Sequence, residues 1–129
     1  MLDIDTRFKD LPGFCYFDLQ KPEECTDPRV LKNEFELILF DPPFFYISLE
    51  QMSHALQWVG KHSTSRDMKL GMSFMTRDEN HVKRAFGVFK LEKTNLDLEY
   101  ATVKPNRWEN YGWYQNTDLP MIKRLKKKN

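Results

Sequence analysis

Apolar residues occur along this chain in short runs divided by polar, proline-bearing stretches, and the spacing inside each run predicts an element. The main run, Phe35 to Phe40, is almost unbroken. A run of that kind predicts a strand covered on both faces, as in a parallel sheet flanked by helices. It stops at Asp41-Pro42-Pro43, because successive prolines cannot donate to a ladder and hold the backbone in a rigid, extended loop. Shorter runs predict strands at Met1 to Ile4, Phe14 to Phe17 and Met68 to Met75, with a Leu11-Pro12-Gly13 turn between the first two. Three stretches carry helix signals. Asp27 before Pro28 reads as an N-cap followed by a first-turn proline, opening a helix through Asn33. Ser48-Leu49-Glu50-Gln51 is a capping box, and Leu49, Met52, Leu56 and Val59 share one helical face. That helix should pack on the sheet and end near Gly60. Thr76-Arg77-Asp78-Glu79 is a second box, opening a helix that turns Val82, Ala85 and Phe86 inward. Leu96, Leu98 and Tyr100 then alternate up to Val103, and Tyr111, Trp113 and Gln115 form a last strand after Pro105-Asn106-Arg107. With no helix between them, these two strands should pair as an antiparallel hairpin. The predicted order is β-β-α-β-α-β-α-β-β, an α/β fold with a parallel body.

Composition changes this picture little. A chain of 129 residues makes one domain, taken here as residues 1–122, followed by a basic tail, 123–129. Lys123, Arg124, Lys126, Lys127 and Lys128 crowd into that tail, which reads as a solvated, frayed end. A net charge of +1 gives no global argument for nucleic-acid binding. Cys15 and Cys25 lack metal-type spacing and read as reduced thiols; His54, His62 and His81 share no such spacing with them, so no metal is expected. No apolar run approaches the ~18 residues of a membrane span, and there is no signal-peptide pattern. A soluble, cytoplasmic monomer is expected.

Chemistry-bearing residues gather just after the predicted strands, which is where ligands bind in open α/β sheets. Asp3 and Asp5 close the first strand, where acids of Rossmann-like sheets accept hydrogen bonds from ribose hydroxyls; the other reading is a surface acidic cluster. Asp18 closes the second strand and either faces a cofactor base or forms a turn. Asp41 follows the main strand, and with the two rigid carbonyls of Pro42 and Pro43 and the aromatic Phe44 it sits where chemistry is usually done. Phe45, Tyr46 and Trp108 can rim a pocket, although 14% aromatic residues places some there by core packing alone. Ser48 has no nearby His and Asp in a nucleophile arrangement and reads as a cap. Asp41-Pro42-Pro43-Phe44 resembles motif IV, (D/N/S)-P-P-(Y/F/W), of the S-adenosylmethionine-dependent amino-methyltransferases.

A wider resemblance follows along the chain. Asp3-Ile4-Asp5-Thr6-Arg7-Phe8, Phe14-Cys15-Tyr16-Phe17-Asp18, the strand into Asp41–Phe44, and Asn106-Arg107-Trp108 with Trp113-Tyr114-Gln115-Asn116 occur in order. They resemble the recurrent segments of the N6-adenine methyltransferase family, whose eukaryotic members include lysine methyltransferases of translation elongation factor 1 alpha. The resemblance implies a Rossmann-like class I methyltransferase sheet of seven strands with a C-terminal antiparallel hairpin. It implies S-adenosyl-L-methionine as cofactor, lined by Asp3, Asp5 and Asp18, and a target amine held by Asp41, Pro42, Pro43 and Phe44. Phe45, Tyr46, Asn106 and Trp108 would face the substrate. The acceptor it implies first is a protein lysine, as in elongation factor 1 alpha; adenine N6 in nucleic acid is the alternative acceptor. A catalytically silent methyltransferase-like binding module is the alternative to an enzyme. One departure stands out: the chain starts at the family's second strand, and its five glycines contain no G-x-G. In the family's strand order, 3-2-1-4-5-7-6, the first strand and the cofactor loop would then be missing, which predicts weak cofactor binding by this chain alone.

Overall fold

A computed structural model describes residues 1–32, 35–43, 45–60, 68–96, 98–99 and 103–117. They divide into two compact units, one built from residues 1–36 and 47–68, the other from 37–46 and the chain from 69 onward.

In the first unit β1 (Leu2–Asp3) and β2 (Cys15–Tyr16) pair in parallel, Leu2 against Cys15 and Asp3 against Tyr16. The link between them contains a 3₁₀ turn, Thr6–Phe8, and closes through Gly13 at φ +77°, a left-handed conformation that glycine adopts without steric cost. Helix α1 (Pro28–Leu31) starts as the sequence predicts, with Asp27 accepting from the Arg29 amide at 2.9 Å. It is shorter than expected: Lys32 already caps it, and the predicted end at Asn33 lies outside the described residues. Arg29 also donates to the Phe14 carbonyl at 2.7 Å, tying the helix start to the β2 segment.

Helix α2 (Leu49–Gly60) has the predicted bounds. Ser48 Oγ accepts from the Gln51 amide at 3.1 Å, one half of the capping box. The reciprocal half is not made; the Gln51 side chain donates to the Leu19 carbonyl at 2.9 Å and links α2 to its own unit. Leu49, Met52, Leu56 and Val59 are buried as the helical period demands, but Ser53, Ala55 and Trp58 are buried too. Trp58 lies 6.1 Å from Phe17, ring centre to ring centre, in a tilted aromatic pair.

The second unit is a four-stranded sheet in the order β3-β4-β6-β5. Strands β3 (Leu37–Phe40) and β4 (Lys69–Met75) run parallel, with Phe40 opposite Met72. β6 (Tyr111–Gln115) pairs antiparallel with β4 on one side and with β5 (Glu92–Lys93) on the other. Two expectations are corrected here. The antiparallel partner of the last strand is Glu92–Lys93, extended by Thr94, whose amide donates to the Trp113 carbonyl at 2.8 Å. Leu96, Leu98, Glu99 and Val103 lie in no strand, and residues 97 and 100–102 are outside the described set. Alternation of apolar residues marked the wrong segment because sheet pairing, not period, decides where a short strand forms. Second, β4 rather than β3 is the strand covered on both faces: Leu70 and Met72 on one face are fully buried and Ser73 on the other is 5% exposed, whereas Leu39 of β3 is 58% exposed.

Helix α3 (Glu79–Ala85) follows β4 through a 3₁₀ turn, Thr76–Asp78. The predicted box at Thr76 does not form, since its hydroxyl donates to the Glu109 carbonyl at 3.1 Å. Val82 and Phe86 are fully buried, as their spacing predicts. Asn116 closes the unit: its Oδ1 accepts from the Leu70 amide at 2.9 Å and its Nδ2 donates to the Phe89 carbonyl at 3.0 Å.

Candidate functional site

In the first unit the parallel pairing brings the carboxyl ends of β1 and β2 to one edge, so Asp3, Asp5 and Asp18 come where the sequence reading expects acids. Each of them serves a local turn. Asp3 Oδ1 accepts from the Asp5 amide at 2.9 Å, and Asp18 Oδ1 accepts from the Gln20 amide at 2.9 Å. These are aspartate turns, in which a short side chain stands in for a backbone carbonyl. Asp5 is used further: its carboxylate accepts from the Arg7 amide and from Nε and Nη2 along one edge of the Arg7 guanidinium, the shortest contact being 2.6 Å. The Arg7 hydrogen bonds hold the Asp5 carboxyl below the usual carboxylate range and raise Arg7 in return. An open cavity beside β2, lined by Tyr16, Glu24, Cys25, Thr26, Asp27 and Pro28, was not foreseen from sequence. Burial first, and then the neighbouring Asp27 carboxylate, raise the ionisation of the Cys15 thiol.

In the second unit Asp41 is the first residue beyond β3. Its Oδ1 accepts a hydrogen bond from Ser73 Oγ at 2.6 Å, and Ser73, in β4, is only 5% exposed. The register explains the meeting: Phe40 faces Met72, so the next residue of each strand comes level. Asp41 itself is exposed, and its Oδ2 accepts nothing among the described residues. Pro42 is buried and Pro43 exposed, which anchors the loop on one residue and frees the next. Phe44 lies outside the described residues. Phe45 is 59% exposed and Tyr46 is 98% exposed, the latter at φ +78°, a conformation that costs a bulky residue steric energy. Asn106 and Trp108 lie on the 3₁₀ segment Pro105–Asn110; Asn106 is exposed, and the Trp108 indole donates to the Val103 carbonyl at 3.1 Å. Ser73 is the site residue the sequence did not reveal. A serine inside MSFM of an apolar strand was the available signal, because a buried hydroxyl needs a partner.

An acid presented beyond the carboxyl end of a parallel pair is the placement at which α/β chains bind ligands. The chain matches the family model described as "Probable N6-adenine methyltransferase" over residues 1–118, and it belongs to that family. No curated protein matches it.

Proposed function

We propose that this chain is an S-adenosylmethionine-dependent amino-methyltransferase of Rossmann-like fold in which Asp41 receives the acceptor amine. The observation that carries this reading is the Asp41 carboxylate itself, held on Oδ1 by Ser73 and open on Oδ2. The strand orders support it as well. β2-β1 follows the 3-2 stretch of the methyltransferase order, and β3-β4-β6-β5 follows its 4-5-7-6 stretch.

For the cofactor, Asp3 and Asp18 fit best. Each spends one oxygen on a turn amide and leaves the other to accept a ribose hydroxyl. Asp5 fits less well, because Arg7 takes both of its oxygens. When bound, S-adenosylmethionine supplies an electrophilic methyl: the amine lone pair forms the new C–N bond, the C–S bond breaks to leave a neutral thioether, and one proton passes from nitrogen to solvent. The protein's own part is orientation. Asp41 Oδ2 and the Pro42 carbonyl accept the two N–H groups, which aims the lone pair away from the loop. The Asp41 carboxylate adds to this alignment by facing the positive charge that grows on nitrogen as the C–N bond forms.

The acceptor we propose is a protein lysine, with elongation factor 1 alpha as the example the resemblance supplies. Apart from the cations of the tail, the net charge of +1 gives the chain no overall attraction for a phosphate backbone, which supports a protein acceptor. The family's description favours a second reading, adenine N6 in nucleic acid, which requires a base drawn out of its stack. The test is transfer of tritiated methyl, at millimolar cofactor, to a cell extract split between nuclease and protease treatment. Label that survives nuclease and disappears with protease supports the lysine; the reverse pattern establishes adenine. Label in neither fraction overturns the amino-methyltransferase reading.

A further inference from the structure

Asp41 and Ser73 lie 32 positions apart, and the bond between them is short for an O–H···O contact, within the ~2.5–2.7 Å range of a hydroxyl donating to a carboxylate. Neither backbone needs it. The β3–β4 ladder is already complete from Leu37 against Lys69 to Phe40 against Met72. What the hydroxyl restrains is the Asp41 side chain. Pro42 and Pro43 stiffen the main chain after Asp41, but they leave its χ1 free to move among three staggered wells. An exposed aspartate at the head of a loop would populate more than one of them. Ser73 is nearly fully covered within the most buried strand of its sheet, so its own hydroxyl has little freedom and few other partners.

We propose that Ser73 is a positioning residue for methyl transfer: by donating to Oδ1 it locks Asp41 in one rotamer and reserves Oδ2 for an N–H of the acceptor amine. This rests on the amino-methyltransferase reading of Asp41. The requirement at position 73 is specific. Alanine keeps only the Cβ and donates nothing. Cysteine fills the space with a longer, weaker donor, and threonine keeps the hydroxyl while adding a methyl to a tight strand.

Two measurements on the full chain test it. The first is the set of three-bond couplings from Asp41 Cγ to its backbone nitrogen and carbonyl carbon in isotope-labelled protein. The wild type should show one χ1 rotamer, Ser73→Ala an average, Ser73→Cys partial averaging, and Ser73→Thr one rotamer again. The second is tritiated methyl transfer from S-adenosylmethionine to the extract fraction that the wild type labels. Ser73→Ala should lower kcat about tenfold with KM changed less than about twofold, and Ser73→Thr should restore most of it. A merely structural serine would lower the melting point without splitting kcat from KM. An unchanged Asp41 rotamer in Ser73→Ala overturns the proposal, and so does an averaged rotamer with undiminished kcat. If Ser73→Ala does not fold, the same two readouts on Ser73→Cys decide. A wild type that holds one rotamer yet labels neither protein nor nucleic acid overturns the methyltransferase reading and leaves the Ser73–Asp41 geometry standing.

Discussion

Both units of this molecule set aspartates beyond the carboxyl ends of parallel strands, yet they use them in opposite ways. In the first unit Asp3, Asp5, Asp18 and Asp27 each accept from an amide two residues ahead. Two of them add a salt bridge to the same near neighbour, Asp5 to Arg7 and Asp27 to Arg29. Those bonds shape turns and a helix start, and they form as soon as the local chain does. In the second unit Asp41 makes no such local bond among the described residues and instead takes a hydroxyl from the adjacent strand. A local bond makes the acid part of the backbone's own geometry. A cross-strand bond leaves the acid's second oxygen facing outward on a fixed base, which is what binding an amine needs.

The largest expected effect separates the two uses directly. Asp41→Ala leaves the buried Ser73 hydroxyl without its acceptor, so melting should fall modestly with the fold intact, while methyl transfer falls further. Loss of one charge-assisted hydrogen bond corresponds to roughly 1.5–3 kcal/mol, or about ten- to a hundredfold, and the loss should appear in kcat rather than KM. Asp18→Ala, by contrast, should disturb the Leu19–Gln20 turn and loosen S-adenosylmethionine binding in calorimetry with less effect on turnover. Equal kcat losses in the two variants would erase the distinction drawn between the units.

That distinction also marks what was legible in the sequence. Near-neighbour features could be read: the Asp27-Pro28 helix start, the Ser48 cap, the bounds of α2, and the inward Val82 and Phe86 all follow from spacing within one turn or two. The order of strands and helices was legible for the same reason. Long-range choices were not. Gln51 was expected to reach back to its own cap and instead reaches Leu19; Thr76 was expected to cap α3 and instead reaches Glu109. Apolar alternation points to the residues from Leu96 onward as the partner of β6, although Glu92–Lys93 is what the ladder selects. For the site, Asp41 could be picked out by its prolines, but Ser73 could not, because its role exists only once β3 and β4 are in register.

A second long-range bond offers a stability counterpart of intermediate size. Tyr114 is fully buried, and its hydroxyl donates to the Met75 carbonyl at 3.0 Å. Burial, with Glu79 and Asp78 adding to it, pushes its ionisation up to about 12. The fold therefore favours the neutral phenol. Its contribution should be intact below the ordinary value of ~10 and be lost as pH rises from there through about 12. Tyr114→Phe leaves the Met75 carbonyl without this donor and should cost roughly 1–3 kcal/mol in denaturant melts at neutral pH. It should also flatten the alkaline limb of the stability curve. A variant as stable as the wild type at pH 7 would show that cross-strand bonds here are no more consequential than local ones.

The smallest effect is expected at Arg7, and it probes the local side of the comparison. Arg7 is highly exposed, and its pairing with Asp5 is the kind of surface contact that salt screens. Arg7→Ala should therefore change the melting point at neutral pH barely at all. Its trace should lie in acid. Asp5 is held low first by the Arg7 side chain and then by the Arg7 amide, so the carboxylate's contribution is present above its ordinary value of ~3.9 and lost as pH falls through its depressed one. Removing the guanidinium takes away the larger cause, and the acid limb of the variant should be shallower than that of the wild type in melts between neutral pH and pH ~3. The same variant frees Asp5 Oδ2, while Oδ1 keeps the amide of residue 7. Calorimetry with S-adenosylmethionine should give an unchanged affinity if Asp3 and Asp18 are the ribose acceptors. A clear gain in affinity would show that Asp5 is a ligand masked by its own neighbour, and would move one acid of the first unit into the same outward-facing role as Asp41.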